Sequence, residues 1–484
     1  MSVSKQLYFG LFVINFIALK NLKAQEFTSL KQIIEYAQAE SPQYRVQSTQ
    51  KELSYFKFQS FKSNLKPQIS AYGNLPGYSK LFSAVTQPDG TLLYLPIKQS
   101  DASFGLSLSQ EIPLTGGSIS LNSDLNRFDN WQNRSFQYNA TSVFVRLEQP
   151  ILGFNALKWD KKIEPLLLEE SRRKFAQSLE SIAQDMTRLY FDVINAQENI
   201  RISEVNLANT DENFTIEKKR ISLGTTTEDR LLQIELQLLT NRQNLEKSRY
   251  NYEISVLALK STLGVKELAK FSLTVPEVVP AFTINVDSAL KYARKYRPEF
   301  VAFERNRLEA AKSLDNARAT RQQIKLSATY GLNRAGMDLG TAYGNPKGQQ
   351  TLSIGFNFPI LDWGRSRAAF NTAMVSKKLI ESSNLLQQST FDQEITTLIK
   401  NMPLIRNTIV LIGKRDSLAS KRYDIANRLY QAGKLAINDL NIAQNEKDNA
   451  RQEYIYAIRS FWDAYYLIRR LTLYDFENKR SLFK

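Results

Sequence analysis

The chain has 484 residues with no cysteine and no histidine, and its 64 Lys and Arg stand against 48 Asp and Glu, a formal charge of +16. Without these residues there is no disulfide, no thiolate or imidazole metal site, no lipid-bearing cysteine and no usual general base near neutral pH, so neither an enzyme nor a cofactor is expected. The 43% hydrophobic content is enough to bury a core, whereas the basic residues are spread among nearly as many acids and do not form the clustered stripe of a nucleic-acid binder.

The first 25 residues set Lys5 before a mostly apolar run at 7–19 and end on LKAQ. That is the pattern of a secretory signal cut near Ala24 or Gln25. Removing Lys5, Lys20 and Lys23 with it leaves a charge of +13. Beyond it no stretch approaches the roughly 18 consecutive apolar residues of a spanning helix, so any membrane crossing needs strands.

Alternating segments follow at residues 68–75 and 143–149. Between them lies an additional pair: Phe104, Leu106, Leu108 and Ile112, the turn LTGG, then Ile119, Leu121 and Leu125. In the second half Ile324, Leu326, Ala328, Tyr330 and Leu332 alternate with Lys325, Ser327, Thr329, Gly331 and Asn333. Leu352, Ile354, Phe356 and Phe358 repeat the pattern after a loop. Such segments fit a sheet packed on helices, but polar faces rich in Ser, Gly, Asn and Thr and lengths of about ten residues favour transmembrane strands around a wet lumen. One chain has too few strands to close a barrel, and lipid tolerates no open edge, so closure requires several copies.

Each half then turns at a Pro-Ile-Leu, in QPILGF (149–154) and FPILDW (358–363), 209 residues apart. From 155 to 223 there is no glycine, and Phe175, Leu179, Ile182, Met186, Leu189, Val193, Ala196 and Ile200 form a heptad seam. Phe391, Ile395, Leu398, Met402, Ile405 and Ile409 repeat it 209 residues on. Gly224 and Gly433 keep the same interval, each supplying the positive φ that ends one helix before a return helix. The outgoing arms would measure about 100 Å, too long for a compact domain about 30 Å across, so they must project and find neighbours along their length.

The order and spacing of these features resemble the TolC-like outer membrane efflux proteins over nearly the whole mature chain. ESPQY (40–44) and YRPEF (296–300) resemble that family's Asn-Pro-Glu-Leu motif with the Asn replaced, and LKPQISAYG (65–73) its Leu-Pro-Gln strand start, reduced to QQIKLSATYG (322–331) in the second half. The resemblance implies an α+β membrane protein, a homotrimer whose two hairpins per chain make one twelve-stranded outer-membrane β-barrel continuous with a long periplasmic α-helical barrel. It also implies a passive exit duct in a Gram-negative outer membrane, docked at its helical tips onto a periplasmic adaptor and an inner-membrane pump for efflux or type I secretion. A non-transporting exported scaffold or adhesion protein would carry similar helices without a conducting trimer.

On this reading the chain divides into a signal at 1–25, a first repeat at 26–264, a connection at 265–297, a second repeat at 298–470 and a tail at 471–484. The first repeat holds strands at 67–150, a long helix at 155–223 and a return helix at 226–264; the second holds them at 323–360, 364–432 and 436–470. Two departures carry expectations. The additional pair at 104–125 would either enlarge the barrel or form a long hairpin above the membrane; the hairpin is expected, because six strands per chain would lose the match to twelve helices. Pro403, where the first half has Ile194, is expected to kink its helix or to be tolerated on the surface.

The resemblance also assigns site residues. The acidic pore constriction that the family places at the sixth position after the second tip glycine falls on Asp439, while Ile442 stands where a second Asp is sometimes found. The first half has Arg230 at the corresponding position, so an Arg230–Asp439 link would hold the tip shut; solvated helix-start charges explain the same residues. Leu223, Gly224 and Thr225, with Ala432, Gly433 and Lys434, resemble the adaptor-docking tips and are also plain helix stops. Phe154 and Trp363 correspond at the two junctions, where they fit an aromatic girdle at the lipid edge or simple packing.

Overall fold

The computed structural model describes residues 26–265 and 270–483, so the secretory signal expected at 1–25 lies outside the described residues. The first half runs β1 (Glu26–Phe27), α1 (Leu30–Glu40), α2 (Pro42–Asn64), β2 (Gln68–Thr86), β3 (Leu92–Ile112), β4 (Gly117–Asn130), β5 (Ser135–Leu152), α3 (Ala156–Ser222) and α4 (Glu228–Leu263). After β6 (Lys270–Phe271) and α5 (Val286–Tyr296) come α6 (Pro298–Ala319), β7 (Gln323–Gly336), α7 (Leu339–Tyr343), β8 (Lys347–Asn357), α8 (Arg365–Gln431) and α9 (Ile437–Thr472). The short pair β9 (Tyr474–Asp475) and β10 (Arg480–Ser481) follows.

The repeat holds to the residue. α3 and α8 have 67 residues each, α4 and α9 have 36, and their boundaries are offset by 209. The heptad seam is buried as expected at Ile182, Met186 and Val193 in α3 and at Ile395, Met402 and Ile409 in α8. α8 runs unbroken through Pro403, although that residue has no N–H to give to the preceding turn.

The repeat fails upstream, and there the structure departs from expectation. The opening prolines of α2 and α6, Pro42 and Pro298, are 256 residues apart, while Pro150 and Pro359 are 209 apart, so the first half carries 47 additional residues before its junction. These build β3 and β4, which are full members of one antiparallel sheet ordered β2-β3-β4-β5-β7-β8. The pair does not stand above the sheet. Its turn lies at the helix-bearing base, where Ile112 pairs with Gly117, Gln68 with Ser109 and Ser118 with Glu148. The expected mismatch with the helices does not arise, because strands sit about 4.8 Å apart and helices 8–10 Å apart, so six strands span about what four helices span.

Register gives the sheet two faces. Ile69, Leu108, Leu121, Val145 and Tyr330 pair in turn across β2, β3, β4, β5 and β7, and all are exposed. One residue away, Gln68, Ser109, Ser120, Arg146, Thr329 and Thr351 pair across all six strands. The apolar row crosses five strands and meets Gln350 on β8, while the polar row crosses all six; such an alternation is the pattern of a wall between lipid and water.

The chain folds as two units. Among the described residues, one comprises 46–178, 282–401 and 468–483, and the other 26–45, 179–265, 270–281 and 402–467. In the first, four helices carry the sheet side by side. Lys51 of α2 lies over the Phe175 ring of α3, Arg305 of α6 pairs with Glu170 of α3 at 2.6 Å, and Asn384 of α8 donates to the Phe303 carbonyl of α6 at 3.1 Å. In the second the row is α4, α3, α9, α8. Asn241 of α4 donates to Thr210 of α3 at 2.8 Å, Arg459 of α9 pairs with Asp192 of α3 at 2.7 Å, and Arg451 of α9 reaches Asp416 of α8 at 3.3 Å.

The outer helices of that second row stay apolar on their free sides. α4 exposes Leu232, Leu236, Leu239, Tyr250, Ile254 and Leu257, and α8 exposes Leu404, Leu411, Leu418 and Ile425 at intervals of seven.

Candidate functional site: the paired helical tips

The two helix reversals are the same device. In the first, Gly224 takes φ +68°, its N–H donates to the Ile221 carbonyl at 2.9 Å, and the Thr225 N–H donates to the Arg220 carbonyl at 3.0 Å. In the second, Gly433 takes φ +73°, donating to Tyr430 at 2.9 Å while Lys434 donates to Leu429 at 2.8 Å. Both are Schellman caps, which satisfy the last carbonyls of a helix through one residue in the left-handed region, where glycine is not penalised. Below the caps a small core draws on every helix of the row. Ile234 of α4, Tyr423, Ala426 and Tyr430 of α8, and Leu440 and Ala443 of α9 are buried together, with Phe214 of α3 packed against them.

What ties one cap to the other is a buried ion pair. Glu217 on α3 is 1% exposed and meets Arg220 at 2.9 Å. The other nitrogen of Arg220, Nη2, donates to the Tyr430 and Gln431 carbonyls at 3.1 Å each, capping the C-terminus of α8 with a cation where its carbonyls carry partial negative charge. Thr226 Oγ1 donates to Glu217 at 2.6 Å and anchors the hairpin to α3. Burial, reinforced by the Glu217 charge, pushes the Tyr430 phenol up to about 12, so Tyr430 stays neutral and donates to Glu217 at 3.4 Å. The second half cannot reproduce this bracket, since the positions 209 on from Glu217 and Arg220 are Ala426 and Leu429. That break in the repeat was the available signal, and reading by family position passed over it.

Arg230 and Asp439 lie in the first turns of α4 and α9, both exposed. No ion pair joins them within the chain, and among the described residues neither pairs with any other charge. Leu223, Gly224, Thr225, Ala432, Gly433 and Lys434 are all exposed around the two caps. At the strand-to-helix junctions Phe154 is half-buried, while Trp363 is 89% exposed beside an equally bare Ile360. The difference follows from position: β5 is an inner strand with β7 alongside, and β8 is an edge.

Other polar groups of this unit are structural in form. Glu198 accepts from Arg201 and from Arg451, tying α3 to α9; burial raises its carboxyl, but the two guanidiniums outweigh that and hold it below the usual range. A groove of about 630 Å³ there mixes Arg201, Lys421, Lys447 and Arg451 with Asp416, Asp424 and Asp448, a near balance of charge that selects neither sign of ligand strongly. Among the described residues no helix is long and apolar enough to cross a membrane, and no metal-binding group of His, Cys, Asp or Glu occurs.

The family described as outer membrane efflux protein matches residues 63–265 and 289–472. The Campylobacter jejuni CmeC outer membrane channel is similar in structure with a TM-score of 0.67 at 17% identity, over 94% of this chain and 87% of that one. The Neisseria gonorrhoeae MtrE outer membrane channel in its open state gives 0.63 at 15%, over 92% and 88%. Vibrio cholerae VceC, an outer membrane protein, gives 0.62 at 12%, over 92% and 95%. At these identities the likeness is one of fold. No curated protein sequence matches.

Proposed function

The chain belongs to the outer membrane efflux protein family, and from that premise we propose that it is the passive outer-membrane exit duct of a tripartite efflux or type I secretion assembly, built from three copies. The observation that carries this reading is that both rows of elements end in unpartnered edges. β2 and β8 each leave one line of backbone N–H and C=O groups without a strand, beside side chains suited to lipid. Bilayer hydrocarbon does not tolerate such an edge. β2 runs away from the helices and β8 returns to them, so β8 of one copy meets β2 of the next in antiparallel register. The heptad stripe Leu404, Leu411, Leu418 and Ile425 on α8 calls for a neighbour in the same way, and the apolar stripe of α4 on the next copy supplies it.

In this assembly the exposed caps at 223–225 and 432–434 are the surfaces that meet the periplasmic adaptor, and Asp439 lines the narrowest part of the pore. Arg230, which forms no ion pair among the described residues, faces a neighbouring copy there. Phe154 and Trp363 sit at the lipid edge. Purification from detergent-extracted outer membranes tests the reading: the expected product is a trimer that dissociates on heating and conducts ions in planar bilayers. A soluble, non-conducting protein would overturn it.

A further inference from the structure

We infer that the inserted strands β3 and β4 line the pore, so that three copies close an 18-stranded barrel whose lumen is as wide as the helical tunnel and passes cargo that twelve strands would exclude. The inference rests on the duct reading and adds to it the width, and with it the size class, of what leaves.

Three observations point this way. First, the apolar row runs from Ile69 to Tyr330 through Leu108 and Leu121, and the polar row from Gln68 to Thr351 through Ser109 and Ser120. The inserted strands therefore present the same faces as their neighbours; a hairpin projecting into water would have no need of a lipid face.

Second, the insert is stitched into the base and into the polar face. Gln110 donates to the Leu65 carbonyl at the end of α2 at 3.0 Å, and Asn155, just before α3, donates to the Pro113 carbonyl at 3.0 Å. Tyr72 of β2 reaches across Gly105 of β3 to Asp124 of β4, through the space that a side chain at Gly105 would fill.

Third, the widths agree. Four helices side by side occupy about 32–40 Å at 8–10 Å each. Six strands tilted by 35–45° occupy about 35–41 Å of circumference, and four only about 23–27 Å. The insert therefore lets the barrel meet its helices without a taper. A ring of 18 strands has a backbone diameter of about 36 Å against about 24 Å for twelve. With side chains about 5 Å deep on the inner face, the free lumen is about 25 Å rather than about 14 Å. The cargo class thus extends from small molecules to peptides and unfolded chains, still short of a compact domain about 30 Å across.

Because the chain contains no cysteine, single replacements report cleanly. Ser120→Cys on β4 and Thr329→Cys on β7 share a row, and Leu121→Cys is the lipid-facing control. Each purified trimer in a planar bilayer is treated with a charged, membrane-impermeant thiol reagent. The expected result is loss of current in up to three steps for Ser120→Cys and Thr329→Cys alike, and none for Leu121→Cys. If Thr329→Cys is blocked while Ser120→Cys is untouched, the insert lies outside the pore and this inference falls while the duct stands. If neither responds, the duct reading falls and takes the inference with it. The unmodified trimer gives a second measure: neutral polymers about 20 Å across, added on the sheet side, should enter the lumen and lower conductance. Exclusion of polymers of that size would overturn the 18-stranded closure.

Discussion

Replacing Arg220 by methionine keeps the apolar stem but removes the cation that Glu217 and the end of α8 share. Glu217 is 1% exposed, so its charge cannot turn to bulk water, and it would retain only Thr226 and Tyr430. Breaking a buried pair in this way costs about 3–5 kcal/mol. The Arg220 side chain is itself 22% exposed, so water reaches the pair from one side and the lower end, about 3 kcal/mol, applies. The two contacts to the Tyr430 and Gln431 carbonyls are lost as well, adding about 1 kcal/mol because those carbonyls are partly rehydrated. The assay is hydrogen exchange on the purified trimer, read on peptides covering residues 215–230 and 425–440. The expected change is a loss of protection approaching three orders of magnitude at both caps, since the two losses sum to about 4 kcal/mol and each 1.4 kcal/mol is tenfold. Glu217→Gln combined with Arg220→Met should recover most of that loss, because the buried charge is gone. A change of less than about threefold in Arg220→Met, or a double variant as open as the single one, would refute a bracket of this strength.

Three further outcomes are expected. Gly433→Ala must hold a Cβ in the left-handed region, so it should weaken the second cap by about 1–2 kcal/mol, seen as faster exchange at residues 428–436. Asp439→Ala should raise single-channel conductance and antibiotic leakage; unchanged values of both would remove Asp439 from the constriction. Glu198 has its folded pKa held below the unfolded value of about 4.3, so its contribution is complete above that pH and is lost as pH falls through the folded pKa. Protection of the adjoining α3 and α9 amides should therefore be level from pH 7 to about 5 and decline below about 4, and Glu198→Gln should abolish that decline.

Much of the tip was legible before any coordinates. The glycines at 224 and 433 mark two reversals because a left-handed residue at a helix end is a local requirement, answered by one residue type. The bracket between the tips was not legible, since Arg220 finds its acceptors 210 and 211 residues away and nothing near it in sequence names them. Trp363 and Phe154, equivalent by spacing, part company for the same kind of reason: only sheet order says that one lies at an edge.

By itself the sequence determined the repeat of 209, the lengths of α3 and α8, and the placement of their caps. Periodicity and capping act over a few residues and accumulate along the chain, so they can be read from it. The fate of β3 and β4 was decided only in three dimensions. Alternation tells that Leu108 and Leu121 share a face, but not that Leu108 stands between Ile69 and Leu121, nor that Leu121 meets Val145. Strand pairing joins segments distant in sequence, and a register is fixed by the summed fit of whole strands, so it exists only once the sheet does.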